Sequence, residues 1–108
     1  MAVKEVVKEA VGQIRDLARQ NLRESAGTLV NDAQTSVEDH KEDLARWSKM
    51  VLNQELPEDD MKDLIATEIV VDLMEGLKQK GMAKAQLDKL KGAVVDILFS
   101  AAFKLIPS

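Results

Sequence analysis

From Val3 onward the apolar positions advance by four, four and three residues, through Val3, Val7 and Val11, then Ile14, Ala18 and Leu22, then Ser25, Leu29 and Ala33, then Ser36, His40 and Leu44, and on to Trp47 and Val51. An eleven-residue repeat of this kind holds about 3.67 residues per turn, so its stripe runs nearly straight, or slightly right-handed, along a helix. The pattern predicts a long amphipathic helix over residues 1-53, about 75 Å from end to end at 1.5 Å per residue. Ser25, Ser36 and His40 weaken the stripe in its middle. A break near residues 26-35 is therefore the alternative, with Gly27 ending a first helix and Thr35, followed three residues later by Glu38, starting a second through a capping box. Because the register survives across the supposed loop, the unbroken helix is preferred.

The first clear connection is Asn53-Gln54-Glu55-Leu56, after which Pro57 sits where a first-turn proline is tolerated and Glu58, Asp59 and Asp60 suit a helix N-terminus. A second helix is predicted over residues 57-80, burying Met61, Leu64, Ile65, Ile69, Leu73, Met74 and Leu77 and capped by Gly81. A third follows over residues 82-106 with Leu87, Leu90, Val94, Ile97, Ala101 and Leu105 on its main face. So short a turn makes the two an antiparallel hairpin. The last helix is apolar almost all round, its polar side chains Asp96, Ser100 and Lys104 recurring every four residues as one narrow stripe. Such a helix must be covered on nearly every side.

Each hairpin arm is about 36 Å long, half the length of an unbroken first helix. That mismatch leaves apolar surface on Val3, Val7, Val11, Ile14, Ala18, Leu22 and Leu29, and on the Val95, Phe99 and Ala102 side of the last helix, for another subunit to cover. The fold class expected is all-α, a long amphipathic helix plus a C-terminal antiparallel hairpin forming a helical bundle across subunits, with a coiled-coil-like seam. At 108 residues the chain makes a single helical domain. Its aromatic content of 3% leaves the core to Leu, Val, Ile, Ala and Met, which suits helix-on-helix packing.

Charge is segregated. Residues 1-30 carry five basic and four acidic side chains, residues 31-75 four and thirteen, and residues 76-108 six and two. An acidic middle and a basic final third argue against a uniform nucleic-acid-binding surface. The chain has no cysteine, no continuous signal-peptide core at its start, and no run approaching the ~18 uncharged apolar residues of a membrane span, so a cytoplasmic location is expected.

Three stretches, Leu44-Ala-Arg-Trp47, Leu56-Pro-Glu-Asp-Asp-Met61 and Leu77-Lys-Gln-Lys-Gly-Met-Ala83, are similar in order and spacing to a group of small, uncharacterised bacterial all-helical proteins. The resemblance covers residues 44-98. It implies an all-α fold and brings no activity, cofactor or site residue with it, since its motifs are those of helix ends and turns.

Few residues offer chemistry. His40 stands alone among Glu38, Asp39, Glu42 and Asp43, and one histidine cannot furnish the paired Glu-x-x-His ligands of a di-metal bundle, so no metal is expected. At a subunit seam it would make association sensitive to pH. The acids from Glu55 to Asp63 lack the central glycine of a calcium loop and match a helix N-terminus without any ligand. Trp47 suits the bottom of a core. Lys78, Lys80 and Lys84, joined by Lys89 and Lys91, make the hairpin turn a basic tip that phosphate, anionic lipid or an acidic protein could contact. With no cysteine, no tyrosine, no glycine-rich phosphate loop and no nucleophile elbow, neither an enzyme nor a cofactor is expected. The expected function is that of a homo-oligomeric helical interaction or scaffold protein, with another protein as a further partner. The alternative is a peripheral protein that lays its final helix on a lipid or polymer surface.

Overall fold

The computed structural model describes residues 2-22 and 24-105, and among these it is all-α with no strand. Helix α1 spans Val3–Asn21 and α2 spans Ala26–Leu52. A third rod consists of α3 (Glu58–Ile65), a π-helical turn (Ala66–Val70) and α4 (Val71–Gln79). It is followed by α5 (Lys84–Ala102) and a 3₁₀ turn at Phe103–Leu105.

The long first helix is not continuous. At Leu22 the backbone turns extended (φ −127°, ψ 148°), and α2 starts at Ala26. The break therefore lies just ahead of the 26-35 window, and both signals placed in that window serve other ends. Gly27 lies in the first turn of α2, and Thr35 is inside it, donating from Oγ1 to the Asn31 carbonyl at 3.3 Å. The stripe keeps its phase because both helices turn it toward the same core, and Leu22 stays buried in the connection. Within α2, Val37 is buried where the strict repeat would place Ser36. Folding back at this point leaves α1 with 19 residues, the same as α5, so helices about 28 Å long lie side by side.

Side-chain contacts set the directions. Gln86 Nε2 donates to the Asn21 carbonyl at 2.9 Å and Lys104 meets Glu9 at 2.7 Å, so α1 and α5 are antiparallel. Ser48 Oγ lies 3.1 Å from the Ala102 carbonyl, which puts the C-terminal ends of α2 and α5 together. The result is an up-down-up-down four-rod bundle. Helices α2 and α5 form its central pair; α1 packs on one side of them and the α3–α4 rod on the other, and among the described residues α1 does not reach that rod.

This arrangement explains why α5 is apolar nearly all round: every other rod touches it. Leu90, Val94, Leu98 and Ala102 are buried, while Asp96, Ser100 and Lys104 form the exposed stripe expected of them. Ser48, buried on α2, is satisfied by the Ala45 and Ala102 carbonyls. Trp47 is buried in the same core.

The connection after Gln79 forms as its residues dictate. Gly81 takes φ +88°, its N–H donates to the Lys78 carbonyl at 2.9 Å, and the Met82 N–H reaches the Leu77 carbonyl at 3.4 Å. These two bonds make a Schellman cap, whose left-handed position favours glycine. Helix α5 then begins at Lys84, two residues later than expected, with Ala83 extended ahead of it.

The π turn has a cause in the sequence. Met61, Ile65, Ile69, Leu73 and Leu77, all buried, recur every four residues. In a regular α-helix that spacing advances about 40° per step beyond full turns, which would carry the stripe about 160° around the rod. One wider turn, with i→i+5 bonding, takes up most of the excess and lets Ile69 and Val70 both face the core.

Candidate interaction faces

The residues expected to form a subunit interface are, for the most part, covered within the chain. Val7, Val11, Ile14, Ala18, Leu22 and Leu29 are at most 7% exposed, and so are Val95 and Ala102. The correction follows from the break after Asn21, because a folded-back α1 lays its stripe on α2 and α5 and needs no second subunit to cover it. Val3, at 43%, keeps an exposed side chain. Phe99 is half-buried. It meets Phe103 edge-on at a centroid distance of 5.1 Å, and the Lys62 ammonium lies 5.0 Å from its ring centroid while also approaching Asp96 at 3.9 Å. A lysine stem and a cation–π contact thus cap the patch that looked open.

The basic tip is present at the surface. Lys78, Lys80 and Lys84 are exposed around the Schellman turn. Lys80, Gly81 and Met82 line a shallow depression with Asn21, Leu22, Glu24, Ser25 and Gln86, which places the tip beside the α1–α2 connection. His40 lies on the outer part of α2, with Nδ1 2.9 Å from the Ser36 carbonyl. Among the described residues no cluster of His, Asp and Glu is arranged to hold a metal ion. No described helix is long and apolar enough to cross a membrane.

The outer faces carry two further features, the first of them unread in the sequence. The first is a cationic ridge on α1. Lys4, Lys8, Arg15 and Arg19 follow each other by four, seven and four residues, the same eleven-residue period as the core stripe, so they fall within about 60° of one helix face. The acids of α1, Glu5, Glu9 and Asp16, occupy a separate flank, where Glu9 reaches α5 through Lys104. Between α1 and α2 runs a groove with Val7 and Val11 in its floor, Lys4, Lys8 and Arg15 along one wall, and Gln34 and Glu38 along the other. Glu38 is engaged by Lys41 on its own helix at 3.0 Å. Among the described residues none of the four ridge cations is in an ion pair.

The second feature is the outer face of the third rod. From residue 55 to residue 75 stand eight acids, Glu55, Glu58, Asp59, Asp60, Asp63, Glu68, Asp72 and Glu75, against the single cation Lys62. All eight are exposed, and Val71 among them is 48% exposed. Leu56 and Leu64 line a shallow groove there with Asp60, Asp63 and Thr67, and Leu52 nearby in sequence is 63% exposed. The ridge and the acidic face lie on rods that flank the central α2–α5 pair from opposite sides.

No protein-family model matches the chain, and neither a characterised protein nor a solved structure is significantly similar to it.

Proposed function

We propose that this protein is a non-enzymatic helical interaction module that self-associates, working through charged outer helix faces and not through the apolar stripes. The observation that carries this reading is the α3–α4 face, where exposed Val71 and half-buried Leu56 and Leu64 stand in a stretch with eight exposed carboxylates. Apolar side chains held at a surface inside a field of one sign favour a partner of opposite charge with a small apolar contact. Laying α5 on a lipid or polymer surface would instead require the bundle to open, because Val94, Leu98 and Ala102 are fully covered.

Light scattering after gel filtration tests the reading. At low salt the mass is expected to exceed that of one 11.9 kDa chain and to rise with concentration. Near 1 M salt, where the Debye length falls to about 3 Å, it is expected to return toward the single chain. A single-chain mass at every concentration and salt would overturn it.

A further inference from the structure

We infer that the α1–α2 groove is the docking site for the acidic α3–α4 face of a second copy of this chain. The inference rests on the self-association reading and assigns its two surfaces. The groove presents a cationic wall of Lys4, Lys8 and Arg15 beside a floor in which Val7 and Val11, 5% and 4% exposed, show only their edges. What fits it is a helix with a small apolar contact and carboxylates along the flank that meets the cationic wall. The third rod is such a helix, with exposed Val71 beside Glu68, Asp72 and Glu75.

Spacing agrees as well as sign. Lys8 and Arg15 are seven residues apart, as are Glu68 and Glu75, so the cations span about 10 Å along their helix and the acids, whose stretch begins in the π turn, slightly less. The wall cations make no ion pair among the described residues, so docking breaks no existing bridge to them. Carboxylates meeting a row of unpaired cations gain attraction that salt screens.

Geometry then decides the kind of assembly. A rod cannot reach the groove of its own molecule, because α1 and the third rod are held apart by α2 and α5. Each copy that donates its rod keeps an open groove, and each copy that receives one keeps a free rod. Because the two faces lie on opposite sides of the α2–α5 pair, one partner does not fill both at once, and the heterologous contact extends head to tail into chains or a ring.

Two surface variants of the full chain test this by light scattering at low salt. Lys8→Glu with Arg15→Glu reverses the groove wall, and Glu68→Lys with Asp72→Lys reverses the rod face. All four positions are exposed, so the bundle should persist, which helical circular dichroism confirms for each variant. Each variant alone is expected to associate at least about tenfold more weakly than the unaltered chain, since facing charges of like sign repel. Mixed in equal amounts the two are expected to associate again, because each supplies the complementary partner the other lacks. Variants that assemble like the unaltered chain, or a mixture that stays apart, would overturn the pairing of these two faces while leaving salt-sensitive self-association standing. An unaltered chain that is monomeric throughout would instead remove the reading beneath it.

Discussion

Leu98→Asp is expected to leave no cooperatively folded bundle, whereas Ser100→Asp, two residues further along α5, should change stability by no more than about 0.5 kcal/mol. Leu98 is fully buried on the helix that every other rod contacts, so a carboxylate there has neither water nor a cation to meet. Its effective desolvation penalty is several kcal/mol, and the lost leucine packing adds about 2 to 5 kcal/mol more. Together these are of the same size as the roughly 5 to 15 kcal/mol that hold a domain folded. Ser100 lies on the exposed Asp96–Lys104 stripe, where a new carboxylate sits one turn from the Lys104 ammonium. Thermal unfolding followed by circular dichroism separates the two: a steep transition for the serine variant and none for the leucine variant.

Deleting a single exposed residue should have opposite consequences in two rods. Removing Thr67 takes out the surplus residue of the π turn, so Ala66–Val70 can relax to regular α-helix while Ile65 and Leu73 stay in phase. A cooperative transition should survive, weakened by about 1 to 3 kcal/mol. Removing Asp96 acts on a helix that has no wide turn to absorb the change. Leu98 and Ala102 would swing by about 100° relative to Leu90 and Val94, breaking the buried stripe, and folding should be lost. Denaturant titration of the two deletions checks this, and equal losses from both would show that the π turn holds no slack.

These contrasts mark what was legible from residues alone. Gly81 with its flanking lysines, the acids after Pro57 and the Asp96, Ser100, Lys104 stripe each have one local physical meaning, and each lies where that meaning puts it. The end of α1 was not legible. Leu22 to Ser25 contains no proline or glycine, and an eleven-residue stripe continues in phase through a turn when both helices bury it in the same core. Assigning Val7, Val11, Ile14 and Ala18 to a second subunit followed from that error, since an unbroken helix cannot cover itself.

The π turn and the cationic ridge had signals that could have revealed them. Five apolar residues at strict four-residue spacing, from Met61 to Leu77, outrun a regular helix by about 0.4 residue per turn and call for one wider turn along the rod. Lys4, Lys8, Arg15 and Arg19 carry the core's own period on a neighbouring face, visible only once the charges are placed on the wheel separately from the apolar residues. Regional charge sums concealed the ridge, because Glu5, Glu9 and Asp16 nearly cancel it in number while lying on another flank.

The central claim is that one chain closes its own core and leaves only its outer faces for partners. Amide hydrogen exchange near 1 M salt, measured over a wide range of protein concentration, tests it most directly. The amides of α5 from Leu90 to Ala102 are expected to be the slowest in the molecule and to exchange at rates independent of concentration, as a core sealed within one chain requires. Protection in α5 that falls on dilution would show that another subunit supplies its cover, and would contradict the account.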